Sequence, residues 1–82
     1  MITIDHINPL DRLSPRELTA VRMLATDGAT DREIGRALFL SEKTVKFHIA
    51  GARRKLGARN RTHLAVLAVA AGIFDEEERE AI

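Results

Sequence analysis

The sequence predicts an all-α fold: four short helices, with a short N-terminal arm before them and an acidic C-terminal tail after them. Three observations predict it. Apolar residues recur at steps of three and four, the spacing by which one side of a helix meets a core. Serine, threonine or asparagine precedes each such run, as Ser14, Thr30, Ser41 and Asn60, and supplies an oxygen to the first free amides of a helix. Glycine follows three of the runs, as Gly28, Gly57 and Gly72, where a chain leaving a helix turns left-handed.

Eighty-two residues hold one domain, near the lower size at which a chain buries a self-sufficient core. The chain has no cysteine, which excludes disulfides and thiolate metal sites and leaves helix packing or dimerisation to hold the fold. The longest continuous apolar run, Leu64 to Ala71, is far short of the ~20 residues that cross a bilayer. No basic segment followed by an apolar stretch opens the sequence, so no secretory signal is expected. A soluble cytoplasmic protein is the expectation.

Residues 1–12 read as an arm or linker, alternating at Ile2 and Ile4 before the turn signal Asn8-Pro9. The domain proper is expected at 13–74. Ser14-Pro15-Arg16-Glu17 is a capping box with proline at the first helical position, and Leu13 and Leu18 stand where a hydrophobic staple fixes the entering chain. Leu18, Val21, Leu24 and Ala25 then form an inward stripe, and the helix runs from Pro15 to Asp27. A second box, Thr30-Asp31-Arg32-Glu33, opens a short helix with Ile34, Ala37 and Leu38 inward, ending near Leu38. Gly35 is expected where this helix crosses the next, since a larger side chain would push the two apart.

Ser41 caps the third helix, which ends at Leu56. Val45, Ile49, Ala52 and Leu56 form its inward stripe, and the opposite side presents Lys43, Phe47, Ala50 and Arg54, flanked by Lys46 and Gly51. Two helices joined by about three residues, the second with a basic face, make a helix-turn-helix. A basic helix face is often just solvated surface. Local charge weighs against that here: residues 41–63 carry seven basic and one acidic side chain, whereas 1–40 carry five and six, and 64–82 one and five. A chain of net charge +1 has thus gathered its positive charge on one helix and the loop after it, the footprint of a nucleic-acid binder. Lysine and arginine neutralise phosphates, small Ala50 and Gly51 let backbone approach base edges, and Phe47 offers apolar contact to a thymine methyl.

Asn60 caps a fourth helix, Arg61 to Ala71, in which Leu64, Val66, Leu67, Val69 and four alanines, Ala70 among them, leave apolar surface nearly all round. Such a helix is buried on more than one side, either as the central core helix of a monomer or against a second copy. The second is the favoured reading. Residues 75–82 form the acidic tail.

With these elements in place, the chain from Leu13 to Phe74 closely resembles the LuxR-type (GerE, NarL/FixJ) helix-turn-helix domain of bacterial transcription regulators. The resemblance rests on LSPRE, GATDREIGRALFLSEKTVKFH and RRKLGARNRTHLAVLAVAAGIF. It implies that helix 41–56 enters the major groove, with base or groove contacts from Lys43, Lys46, Phe47 and Ala50. It further implies phosphate contacts from Arg32, Thr44, His48, Arg54, Lys55 and Arg61. Helix 61–71 is then the dimer interface, through Leu64, Val66, Leu67, Val69 and Ala70. Family members usually have a polar pair and a large aliphatic after the histidine; Ala50, Gly51 and Ala52 stand here instead, which leaves fewer side chains to hydrogen-bond with bases.

The function expected is sequence-specific binding of double-stranded DNA by a bacterial transcription regulator, as a homodimer in the cytoplasm at the nucleoid, with RNA polymerase as a further partner. Neither cofactor nor metal is expected. One alternative is a promoter reader like sigma-factor region 4, which accounts for the chain up to Leu56 but not for the fourth helix. Another is a protein-binding module whose basic face is incidental. An enzyme is disfavoured: His6, His48 and His63 are scattered, and neither a nucleophile setting nor a glycine-rich phosphate loop is present.

Overall fold

In the computed structural model, which describes residues 8–75, a side-chain oxygen closes the first turn of every helix. The helices are α1 (Pro15–Asp27), α2 (Asp31–Leu38), α3 (Glu42–Leu56) and α4 (Arg61–Ala70), with single 3-10 turns at Pro9–Arg12 and Ile73–Asp75. No strand occurs among the described residues. Both capping boxes form. Glu17 N donates to Ser14 Oγ (3.2 Å) while Ser14 N donates to Glu17 Oε1 (2.9 Å), and Thr30 and Glu33 exchange the same pair at 3.1 and 2.9 Å. Thr44 N donates to Ser41 Oγ at 3.1 Å and His63 N to Asn60 Oδ1 at 2.8 Å. Gly28 and Gly57 end α1 and α3 in the left-handed conformation.

One apolar cluster joins the elements: Ala20, Val21 and Leu24 of α1, Ile34 of α2, Val45, Ile49 and Ala52 of α3, and Leu64 and Ala68 of α4. Each of the larger side chains contributes about 1.5–3 kcal/mol by leaving water. The third helix packs on both α1 and α2, and α4 packs on α1 and α3. One side of α3 is thereby consumed by the fold and the other is left to solvent.

Several expectations need correction. The stretch read as an arm enters the fold at Asn8, whose Oδ1 accepts from Leu10 N (2.8 Å) and so caps the turn Pro9–Arg12. Leu10, 2% exposed, lies in the core, and Asn8 Nδ2 donates to Ala71 O at 2.8 Å, tying this turn to the end of α4. A turn of only four residues shows no helical period in sequence, which is why it read as linker. In α2, Ile34 is buried and Leu38 half-buried, but Ala37 is exposed. Gly35 is needed for a different reason from the one expected: a β-carbon there would stand 2.5 Å from the Leu40 carbonyl oxygen, so it is the turn's own backbone, not a helix crossing, that excludes a side chain. That turn is closed by Leu40 N donating to Gly35 O (2.8 Å), with Phe39 left-handed at φ 60° and almost wholly exposed. Residues 1–7 and 76–82, and with them most of the acidic tail, lie outside the described residues.

Candidate nucleic-acid interface

The period of α3 sorts its side chains into two opposed sets. Val45 and Ala52 are fully buried and Ile49 is 5% exposed, whereas Lys43, Lys46, Phe47, Ala50 and Arg54 are exposed. Phe47 is 71% exposed, its ring meeting that of His48 edge-on with centroids 5.8 Å apart. An aromatic ring held this far out of the core, between two lysines and an arginine, has no packing role in the monomer. All four residues expected at base edges, Lys43, Lys46, Phe47 and Ala50, therefore share one accessible face.

The residues expected at phosphates divide. Arg32 and Arg54 are exposed, and His48 and Thr44 are half-buried, the Thr44 hydroxyl accepting from Ser41 Oγ at 3.0 Å. Arg32, Lys46 and Arg61 line a shallow hollow of about 460 Å³ at the Thr30-capped start of α2, together with Asp31 and Glu42. With three cations against Asp31 and Glu42, the hollow keeps a balance of one positive charge beside the positive end of the α2 dipole.

Two of the expected phosphate ligands are held by the domain's own carboxylates. Arg61 Nη1 lies 2.6 Å from Asp31 Oδ1, and its Nη2 donates to Ala29 O at 2.9 Å. Lys55 Nζ lies 2.7 Å from Glu17 Oε1. Burial of Glu17 alone would raise its carboxyl pKa, but the Lys55 ammonium and the Ser14 hydrogen bonds outweigh it and hold the carboxyl below its ordinary value. Sequence reasoning used Glu17 only as a cap and missed this pair. The partners are 38 positions apart, and no local spacing announces them.

Gly51 was expected beside the basic face, easing approach to bases. It is buried instead, and a β-carbon on it would stand 2.5 Å from Glu17 Oε2. Its smallness serves the α1–α3 contact. Beyond α3, Arg53 Nη2 donates to Arg59 O (2.7 Å) and Arg59 N donates to His63 Nδ1 (2.9 Å), which fixes the loop into α4. His63 thus acts as a hydrogen-bond acceptor in the first turn of α4, and no group of His, Asp and Glu that could hold a metal exists among the described residues.

On α4 the set expected at a dimer interface loses one member. Leu64 is fully buried in the domain's own core and is not available to a partner. Val66 and Val69 are 58% and 42% exposed, Ala70 is exposed and Leu67 half-buried. Ala65, Val66, Val69 and Ala70 line a wholly apolar surface hollow, and beside it Leu67 and Ala70 join Pro9, Leu56 and Ala71 in a second. No helix among the described residues is long and apolar enough to cross a membrane.

Residues 11–68 match the family model described as bacterial regulatory proteins, luxR family. Among curated proteins, the chain is 45% identical over 60 residues to the nitrate/nitrite response regulator protein homolog of Haemophilus influenzae, a match over 73% of this chain and 28% of that protein. It is 40% identical over 77 residues to the transcriptional activator protein BjaR1 of Bradyrhizobium diazoefficiens, over 84% of this chain and 31% of the relative. With the transcriptional regulatory protein LiaR of Bacillus subtilis it shares 43% over 60 residues, 73% of this chain and 28% of the other. The chain spans less than a third of the length of each of these relatives.

Proposed function

The chain belongs to the luxR family of bacterial regulatory proteins, and on that footing we propose that it binds double-stranded DNA with α3 in the major groove and thereby regulates transcription. The observation that carries this reading is the opposed sorting of α3. Its apolar stripe is spent in the core, and the face left over holds Lys43, Lys46, Phe47 and Arg54 around the small Ala50. In the groove, Lys46 and Lys43 reach base-edge acceptors, Phe47 meets a thymine methyl, and Ala50 lets the backbone sit close. Arg54, His48 and Thr44 from α3 and Arg32 from α2 hold the flanking phosphates, with the start of α2 as a further phosphate seat.

The exposed apolar strip of α4 supports dimerisation on paired half-sites, with Val66, Val69 and Ala70 central and Leu67 at the edge. Such a dimer acts in the bacterial cytoplasm at the nucleoid, where the enzyme whose output it changes is RNA polymerase. The testing measurement is duplex affinity against salt. Arg32 and Arg54, counted in both copies of the dimer, neutralise about four phosphates and give a loss of about a hundredfold between about 50 and 200 mM monovalent salt. A weak affinity independent of salt would remove the proposal.

A further inference from the structure

We propose that Glu17 and Lys55 form an internal strut that seats α3 against α1, and that Lys55 is therefore a positioning residue for DNA recognition and not a phosphate contact. The inference rests on the DNA-binding reading above. It starts from one anomaly: among the described residues Glu17 is the one buried charged side chain. A buried carboxylate is costly unless it is paired and hydrogen-bonded. Here one oxygen carries both bonds, and the other packs against α3. Oε1 accepts from Lys55 Nζ at 2.7 Å and from Ser14 N at 2.9 Å, and Oε2 occupies the space that a side chain on residue 51 would fill.

The two points on α3 that Glu17 meets, Gly51 and Lys55, lie one helical turn apart on the same flank. Two contacts along one flank fix both the rotation of a helix about its axis and its position along that axis. Rotation and position are what decide where Lys46, Phe47 and Ala50 project. Lys55, with its head group on Oε1, has its charge already compensated, so it releases no counterion when a duplex arrives.

The test compares the full 82-residue chain with three variants on two duplexes, one selected from a random pool and one unrelated. Arg32→Met, which removes an exposed cation, should lower the slope of log affinity on log salt by about 0.9. Lys55→Met should leave that slope and the unrelated-duplex affinity as in the wild type. On the selected duplex it should lose about tenfold, the scale of one base contact, and Lys55→Arg should restore it. A slope lowered by about 0.9 in Lys55→Met, an equal loss on both duplexes, or no loss on either overturns the proposal. If circular dichroism shows Lys55→Met unfolded, Gly51→Ala decides by the same criteria, since it leaves Lys55 in place and puts a methyl where Oε2 sits. Absence of salt-dependent binding by the wild type is a different result: it removes the DNA-binding reading, and this inference with it.

Discussion

Arg61 in the first turn of α4 and Asp31 in the first turn of α2 stand 2.6 Å apart, so the fourth helix is latched to the front of the helix-turn-helix and not merely stacked behind it. The guanidinium also donates to Ala29 O, a backbone acceptor in the α1–α2 loop. Arg61→Ala should cost about 1 kcal/mol in chemical denaturation, mostly through the backbone hydrogen bond. The Arg61–Asp31 coupling from a double-mutant cycle should be smaller, about 0.5 kcal/mol, because the arginine side chain is 38% exposed. A coupling near zero would assign the whole loss to Ala29.

Acid should weaken the fold through Glu17. Its carboxyl ionises below the ordinary 4.5 in the folded chain, so the folded state binds that proton less tightly than the unfolded state does. The stability it supplies is complete above the unfolded value and is lost as pH falls through the lower folded value. Thermal melts of wild type and Glu17→Gln should therefore differ most near neutrality and converge as pH falls below 4.5. Parallel curves over that range would show that the carboxylate charge contributes nothing.

Removing Leu10 should be felt in the core. Leu10→Ala is expected to cost about 2–5 kcal/mol, as for other fully buried leucines, out of a total of about 5–15 kcal/mol. A chain beginning at Leu13 should melt well below one beginning at Asn8. Equal melting temperatures would restore the view of this stretch as a linker.

Phe39 pays for its position with backbone strain, since a non-glycine residue in the left-handed region costs about 1–2 kcal/mol and this ring is 93% exposed. Phe39→Gly should raise stability by about 0.5–1 kcal/mol, the relief being offset in part by greater freedom in the unfolded chain. A destabilised Phe39→Gly would mean that the ring packs in solution.

For the α4 surface, Val66→Glu and Val69→Glu should leave melting temperatures nearly unchanged while abolishing cooperative occupation of paired half-sites. Leu64→Glu should instead unfold the domain, because Leu64 is internal. Cooperativity that survives in both valine variants would move the interface elsewhere.

What was legible in the sequence was local. Ser14 with Glu17, Thr30 with Glu33, Ser41, Asn60 and the left-handed glycines Gly28 and Gly57 each act within one turn, and the helix bounds follow from them. The face of α3 was legible too, because a 3.6-residue period fixes opposite sides at once. What escaped depends on residues far apart in the chain: Glu17 with Lys55, Arg61 with Asp31, Asn8 with Ala71, and the inward turn of Gly51. A period marks which way a residue points, but not whether a neighbouring helix has a carboxylate waiting there.

The Asn8–Ala71 hydrogen bond, 2.8 Å long, brings the first turn of the folded unit beside the end of α4. Asn8 thus enters the fold next to the Pro9 and Ala71 walls of the apolar groove, while the chain after Ala71 runs on through Ile73–Asp75. A circular permutant opened at the exposed Gly57 and bridged by a short glycine-serine tether should therefore retain the same arrangement of helices.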